Sequence, residues 1–173
     1  AFVLESEIKD FKIGQIVSAD INYNGFHIDA YNLVLVGNPN DPGVEITEIA
    51  LEFGFKLPFS DETEEEIKYI PDNVLKEEYK DRCDFRDLKI ITIDGDDSKD
   101  FDDAVNVELK NNGNYSLGVY IADVSHYVKE NTSLDKDALD RGTSVYLADR
   151  VIPMIPHKLS DGICSLVEGE DTT

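Results

Sequence analysis

A short acidic segment carries the residues best suited to chemistry. Six aspartates fall within the ten positions 94–103. Carboxylates crowded this closely raise one another's pKa values unless a counter-charge is present, and a hard divalent cation is the usual partner of such oxygen ligands. Two such cations would form a phosphoryl-transfer site. The segment therefore predicts a metal-dependent centre that acts on phosphate esters.

Two apolar runs flank the acidic segment and would position it. Residues 88–93 are rich in β-branched side chains and stop at the turn dipeptide Asp94-Gly95, so they predict a strand. Residues 104–109 alternate apolar and polar side chains and predict a second strand. The ends of these strands can bring together Asp94, Asp100 and one or both of Asp102 and Asp103, while Asp96 and Asp97 face solvent.

Two other interpretations of the acidic segment are possible. An EF-hand requires Gly at position six and Glu at position twelve. Starting at Asp94, those positions hold Lys99 and Val105, so a calcium hand is excluded. An exposed acidic loop with no ligand remains the alternative.

Four motifs then resemble the ribonuclease II and ribonuclease R family of exoribonucleases, and they occur in the family's order. The Asp-rich segment 92–104 is the first. The others are residues 120–128, 140–146 and 151–156 with 159–166. The match covers roughly residues 84–171, and its wording is nearer to the ribonuclease R branch. Tyr120 stands where this signature often has histidine.

The resemblance implies hydrolysis of single-stranded RNA from its 3′ end, with release of nucleoside 5′-monophosphates. It implies a two-metal mechanism with Mg²⁺ or, in its place, Mn²⁺. Loss of the Asp102 carboxylate is expected to stop the chemistry without unfolding the chain. The residues that the resemblance assigns to both catalysis and metal ligation are Asp94, Asp100, Asp102 and Asp103.

The resemblance also gives Tyr146 a role in substrate binding. The matching tyrosine stacks on a base at the 3′ end of the RNA, a contact worth about 1–3 kcal/mol that tolerates any base. A half-buried tyrosine packed beside Val145 and Leu147 is the structural alternative. Arg141 could meet a phosphate or pair with Asp140, and we favour a structural role for it.

The histidines and cysteines predict no further chemistry. His126 lies in a strand-like run, where a hydrogen-bonded core or edge histidine is expected, and Asp123 is expected to orient backbone rather than ligate metal. No Cys or His pair has zinc spacing. Cys83 and Cys164 are far apart in sequence and are expected to be reduced thiols.

The fold class predicted is α+β, with a small barrel followed by mixed structure. Short β-type runs at 12–20, 25–31 and 33–36 predict the barrel, and the resemblance makes it the OB type of a cold-shock domain. Residues 46–53 fit a helix or a strand equally well. The predicted domains are 1–59, a cold-shock domain that is incomplete or whole; 60–83, an acidic helical linker; and 84–173, the truncated N-terminal part of an RNB nuclease domain.

Two helices are predicted within the linker. Ser60 is placed as the N-cap of the first, with five acidic side chains following in its first turns. The second is predicted to run from Pro71 to about Arg82, because proline suits the first turn of a helix.

Charge argues against a phosphate-binding surface on this chain. The net charge is −21, from 16 basic and 37 acidic side chains. A protein that holds RNA by its phosphates is expected to show a basic stripe. We therefore expect the basic channel to lie in other domains, although an acidic host proteome would produce the same balance.

Two functions of different classes survive. The first is the exoribonuclease, represented here by a fragment expected to be inactive, since the family's later arginine and glutamate have no counterpart. The second is a non-catalytic RNA-binding or partner-binding module. It would require aromatics on a basic barrel face, and core packing is expected for most of Phe11, Tyr23, Phe26 and Tyr31.

The remaining expectations concern surroundings and partners. Single-stranded RNA is the expected partner of a monomeric chain without a small-molecule cofactor. A secretory leader and an apolar run approaching the roughly 20 residues of a membrane span are not visible, so a cytoplasmic location without membrane contact is expected.

Overall fold

The chain folds into two compact units. The computed structural model describes residues 10–23, 25–96 and 98–173, together with the backbone of residues 2–3. Unit 1 comprises Ala1–Leu57 and Tyr146–Val151. Unit 2 comprises Pro58–Val145 and Ile152–Thr173.

A three-stranded sheet forms the centre of unit 1. Strand β2 (Ile16–Tyr23) pairs antiparallel with β3 (Ile28–Gly37), and β1 (Phe2–Val3) pairs parallel with the other edge of β3. The two β-type runs predicted at 25–31 and 33–36 thus belong to one strand. Asn32, at the break between them, has a φ of 53°, which asparagine tolerates better than most residues.

Helix α1 (Val44–Glu52) follows the sheet of unit 1 and resolves the ambiguity at residues 46–53 in favour of a helix. Its N-cap is Gly43, which has a φ of 76°. The described residues of unit 1 form an open sheet, not the closed OB-type barrel of the sequence prediction. The α+β class is confirmed, and the barrel stays a prediction.

Unit 2 begins with helix α2 (Asp61–Glu66), which a 3₁₀ turn at Ile67–Tyr69 extends. The predicted N-cap is confirmed, because the Ser60 hydroxyl accepts a hydrogen bond from the amide of Thr63. The helix predicted from Pro71 to Arg82 is wrong: only a 3₁₀ turn at Lys76–Tyr79 forms. The contacts of Glu78 account for the short turn. Its carboxylate accepts a hydrogen bond from the Leu75 amide and contacts the His126 ring, so a tertiary contact fixes this segment as one turn.

Strands β4 (Asp103–Leu109) and β5 (Tyr115–Ile121) form an antiparallel hairpin in register from Asp103↔Ile121 to Leu109↔Tyr115. The strand predicted at 104–109 is therefore confirmed. The strand predicted at 88–93 is wrong, because a single bridge, Ile91↔Val105, is all that forms there. β-Branched residues favour a strand only where a partner covers them, and the Ile93 side chain is 82% exposed.

The core of unit 2 lies beneath helix α3 (Ser133–Arg141) and a π-helical turn at Leu159–Ile163. Leu134 and Leu159 are fully buried there. A short hairpin of β6 (Val145–Tyr146) and β7 (Val151–Ile152) separates the two elements in sequence. None of the described helices is long and apolar enough to cross a membrane. The buried members of the core are Ala122, Tyr127, Leu134, Leu159, Ile163 and Cys164.

Candidate active site

The acidic loop joins the Ile91 bridge to the start of β4. A turn in which the Ser98 amide donates to the Gly95 carbonyl bends the chain between them. Asp100 is half-buried. Asp97 lies outside the described residues. The exposed aspartates are Asp94, Asp96, Asp102 and Asp103, which confirms the solvent position predicted for Asp96.

Asp102 is the electrostatic centre of the loop. Partial burial raises its pKa above the usual range, and the neighbouring charges of Asp100, Asp103 and Asp94 raise it further. The residue as a whole is exposed, so the burial concerns only part of the carboxyl environment. The other three aspartates named by the family resemblance are thus each close enough to Asp102 to disfavour its ionised form.

The same aspartates do not form a finished ligand set. In the part of the chain that the structure describes, no group of three or more His, Cys, Asp or Glu side chains is arranged to hold a metal ion. The donor chemistry nevertheless suits a hard divalent ion, because clustered carboxylate oxygens are the ligands that such ions prefer. The roles assigned to these four residues stay predictions.

Ser165 is a contributor that sequence reasoning missed. Its side chain is almost fully buried, and its hydroxyl contacts the backbone on both sides of Asp100. The only sequence signal was its place in the apolar motif 159–166. A buried serine among apolar residues indicates a hydroxyl that bonds to backbone, but the sequence does not identify which backbone.

Tyr146 lies in β6, in unit 1, and is 65% exposed. The half-buried packing considered as the structural alternative is therefore not what the structure contains. The stacking role stays a prediction.

Arg141 has a structural role, as expected, but the contacts that show it are to backbone carbonyls and a ring, whereas the sequence suggested Asp140 as its partner. Its guanidinium donates to the carbonyls of Pro153 (3.2 Å) and Pro58 (2.7 Å) and lies 3.8 Å from the centre of the Phe59 ring. The guanidinium therefore joins helix α3 to residues 58–59 and to Pro153, all within unit 2.

His126 and Asp123 also serve the structure of unit 2. His126 Nε2 lies 2.6 Å from Glu78 Oε1, which confirms the hydrogen-bonded histidine. Asp123 accepts from Arg82 (2.8 Å) and from the Ser125 hydroxyl (2.7 Å), and its amide donates to the Thr173 carbonyl. Both cysteines are free thiols, as predicted, with Cys83 exposed and Cys164 buried.

Three aromatic side chains of unit 1 that were expected in the core lie at the surface. Phe26 is 98% exposed, and Tyr23 and Tyr31 are also exposed, so core packing is wrong for these three. Tyr23 pairs with Ile28 and Tyr31 pairs with Asp20. Side chains alternate between the faces of a strand, which puts Tyr23 on the face of Ile21 and Tyr31 on the face of Asn22. The two tyrosines therefore do not share one platform.

Comparison with known proteins defines the class of this chain. Residues 82–173 match the RNB domain family. The chain belongs to this family, and the recognition made from its four motifs is confirmed.

Several relatives to which the chain is similar are named ribonuclease R. Over 98% of its length the chain is 47% identical to ribonuclease R of Thermotoga maritima, of which it covers 25%. The structure of Mycoplasma genitalium RNase R in complex with double-stranded RNA matches 96% of this chain at 30% identity, with a TM-score of 0.77 and 30% of that chain covered. The chain thus spans only 16–30% of the length of the ribonuclease R relatives that it matches.

The fold is also shared outside ribonuclease R. The structure of yeast Ssd1, described as a pseudonuclease, matches 92% of this chain with a TM-score of 0.64 and 22% identity. The match covers 21% of the Ssd1 chain. That similarity shows the fold alone.

Proposed function

We propose that this chain carries the metal-holding part of an exoribonuclease that hydrolyses single-stranded RNA from its 3′ end to nucleoside 5′-monophosphates. The observation that carries the proposal is the convergence of negative charge on Asp102, whose pKa is raised by burial and by three further loop aspartates. Membership of the RNB family supports the same reaction. Since the chain covers 25% of its Thermotoga maritima relative, the activity is that of a longer protein.

In this proposal Asp94, Asp100, Asp102 and Asp103 hold two divalent ions, Mg²⁺ or Mn²⁺. When bound, such ions lower the pKa of a water and neutralise the leaving oxygen of the phosphodiester. The carboxylates by themselves would repel an RNA phosphate, so the loop can bind substrate only in its cation-loaded form.

The other residues of the chain would bind and orient. The three exposed carboxylates leave the loop open to a substrate phosphate, while half-buried Asp100 is fixed through its backbone. Tyr146, which is 65% exposed, would stack on a terminal base. With a net charge of −21, the chain has little means of holding an RNA backbone, so we expect it to be inactive alone.

The predicted division of the chain belongs to the same proposal. Residues 1–59 are taken as cold-shock structure, 60–83 as a linker and 84–173 as the start of the nuclease domain. The antiparallel pairing of β2 and β3 is compatible with part of an OB-type barrel. We expect the longer protein to be a cytoplasmic monomer that needs no small-molecule cofactor.

A chimaera tests the proposed reaction. Residues 82–173 would replace the matching segment of the Thermotoga maritima enzyme, and the product would be incubated with RNA labelled at its 5′ end. A ladder that shortens from the 3′ end, that requires Mg²⁺ and that disappears in EDTA is expected. The Asp102→Asn chimaera should give no ladder.

Matched controls make the outcome decisive. Asp96→Asn removes an exposed loop carboxylate outside the proposed ligand set, and it should leave the ladder unchanged. A folded chimaera that retains all four aspartates and yields no products would refute the proposed function. The chain alone should give no ladder, and degradation by it would refute the expectation of an inactive fragment.

The exposure of Tyr23 and Phe26 favours the alternative function, a non-catalytic RNA-binding module, because exposed aromatic rings bind single strands by stacking. That function predicts metal-independent binding of a labelled oligonucleotide, weakened by Tyr23→Ala and by Phe26→Ala. Binding that survives EDTA, together with an inactive chimaera, would decide for it.

A further inference from the structure

We propose that Ser165 is a positioning residue that sets the backbone conformation of Asp100 and thereby the direction of its carboxylate. The inference rests on the proposed function, in which Asp100 is a metal ligand. It concerns a residue 65 positions later in the sequence, in a different part of unit 2.

The Ser165 hydroxyl makes two hydrogen bonds to the acidic loop. Its oxygen accepts from the amide of Phe101 at 2.9 Å, and its proton is donated to the carbonyl of Lys99 at 3.2 Å. A third bond lies beside them, because the Leu166 amide donates to the Phe101 carbonyl at 3.0 Å. Residues 165–166 therefore form hydrogen bonds with the loop backbone both before and after Asp100.

These bonds constrain both free dihedral angles of Asp100. The Lys99 carbonyl belongs to the planar peptide unit before the Asp100 Cα, and the Phe101 amide belongs to the unit after it. Rotation about φ or ψ of Asp100 turns one of these planes relative to the other. One hydroxyl bonded to both planes opposes either rotation, so the Cα–Cβ direction of Asp100 is set.

The anchor itself is rigid. Ser165 is 1% exposed and follows Ile163 and Cys164, which belong to the hydrophobic core of unit 2. Its amide donates to the Gly162 carbonyl at 2.8 Å, at the end of the π-helical turn. Because Ser165 is fixed by the packed core, its hydroxyl moves little. A residue that positions a metal ligand needs this rigidity.

Serine suits this position chemically. A hydroxyl can donate one hydrogen bond and accept others at the same time, and this one faces one amide and one carbonyl. Alanine has neither capacity, and burial gives water little access to replace it. Loss of the hydroxyl should therefore loosen Asp100 while the fold persists.

The test compares Ser165→Ala with Thr172→Ala. The Thr172 hydroxyl donates to the carbonyl of Ser165 at 3.1 Å, so the control removes a hydroxyl bond at the same residue without touching the loop. Amide hydrogen exchange at Phe101 is followed by nuclear magnetic resonance in metal-free buffer, and Mn²⁺ binding is followed by the electron paramagnetic resonance signal of the free ion.

In Ser165→Ala we expect Phe101 exchange to become roughly tenfold faster, as loss of one hydrogen bond implies. Mn²⁺ should bind about 10- to 100-fold more weakly, the usual effect of removing a group that orients a metal ligand. Thr172→Ala should change neither quantity. A folded Ser165→Ala chain with unchanged exchange and unchanged Mn²⁺ affinity would overturn the inference.

Failure of the proposed function would look different. If the wild-type chain binds no Mn²⁺, the metal-holding role of the loop fails, and the role of Ser165 toward that ligand fails with it. If Ser165→Ala does not fold, exchange in the wild-type chain decides. Protection of the Phe101 amide far above that of Asp96 supports the anchor, and equal exchange at the two amides overturns it.

Discussion

Asp102 is ionised at an electrostatic cost to the folded chain. Its pKa is raised by partial burial and by Asp100, Asp103 and Asp94. For an acid, a folded-state pKa above the unfolded value means that folding disfavours the charged form. The associated loss of stability is absent at low pH and appears as the pH rises through the ordinary range of an aspartate.

Asp102→Asn should therefore stabilise the metal-free chain. We expect the free energy of unfolding at neutral pH to rise by roughly 0.5 kcal/mol, since exposed charge pairs are worth about 0.2–1 kcal/mol. Urea denaturation in EDTA measures the change. Asp72→Asn is the control, because it removes a carboxylate that is paired with Lys158 at 3.2 Å and should not stabilise. A less stable Asp102→Asn chain would contradict this account.

Asp137 shows the opposite electrostatic behaviour. Partial burial acts to raise its pKa, but hydrogen bonds from the Ser60 amide and from the Thr63 and Ser60 hydroxyls, with the charge of Arg141, lower it below the usual value. The Ser60 amide and hydroxyl lie 2.8 and 2.9 Å from the carboxylate. The ionised form therefore stabilises the fold above the ordinary pKa of aspartate, and this contribution is lost as the pH falls through the lower folded value.

Asp137→Asn should make the chain less stable by about 1 kcal/mol at neutral pH, because hydrogen bonds to a charged group are stronger than those to a neutral one. The difference from wild type should begin to shrink below about pH 4, where the aspartate of the unfolded chain becomes protonated, and it should vanish as the pH falls through the lower folded pKa. Thermal unfolding across this pH range measures it. A difference that stays constant down to about pH 2 would show that the charge is irrelevant.

Helices α2 and α3 cap each other. Asp137 of α3 accepts from Ser60 at the start of α2, and Glu66 of α2 accepts from the Leu134 amide at 2.9 Å, at the start of α3. Each helix therefore places a carboxylate at the positive end of the other. Ser60 could be predicted as a cap from local sequence, whereas its partner 77 residues away could not.

Ser60→Ala should cost about 1 kcal/mol, the usual effect of losing an N-cap. The cost should not add fully to that of Asp137→Asn, because the two side chains share a hydrogen bond. A double-mutant cycle by urea denaturation measures the coupling. Ser133→Ala, inside the first turn of α3, is the matched control with a small expected effect. Full additivity would exclude the shared bond as a source of stability.

The strand predicted at 88–93 and the helix predicted at 71–82 were wrong for the same reason. Residues 88–93 have strand composition but only one bridge, and residues 71–82 have helical composition but only one 3₁₀ turn. Propensity is a weak preference that tertiary contacts override. Glu78 forms a hydrogen bond with His126, and Ile91 forms a β-bridge with Val105. Both partners are too far away in sequence for a local pattern to predict the contact.

At the scale of the whole chain, the β4–β5 hairpin has one apolar face exposed. Register puts Val107 opposite Leu117 and Val105 opposite Val119, on the same face. Leu117 is 64% exposed, Val107 60% and Val119 58%, whereas Val105 is half-buried. Contiguous apolar surface of this kind marks a contact surface or an association hazard.

We therefore expect the isolated chain to bind a hydrophobic fluorescent dye. The double change Leu117→Thr and Val119→Thr should reduce the dye signal by about half or more, with a stability change of about 0.5 kcal/mol or less because the side chains are exposed. Ser116→Thr, on the opposite face of β5, should leave the signal unchanged. An equal signal from all three proteins would place the dye elsewhere.

The sequence by itself determined the family, the acidic loop with its four aspartates, the α+β class, the Ser60 cap and the hairpin strand that begins at Asp103. These features follow from short sequence motifs, turn residues and hydrophobic periodicity. Each depends on residues within a few positions of one another, so a single sequence is enough to predict it.

Only the tertiary structure decided which groups act on those features. The Ser165 hydroxyl bonds to the backbone before and after Asp100, and Asp137 accepts a hydrogen bond from Ser60. Tyr23 and Phe26 lie at the surface. Hydrogen bonds between residues 64 or 77 positions apart form because packing brings the backbones together, and burial then makes each unmet donor costly. No local pattern contains that information, because the free energy that selects the contact arises only when the core is assembled.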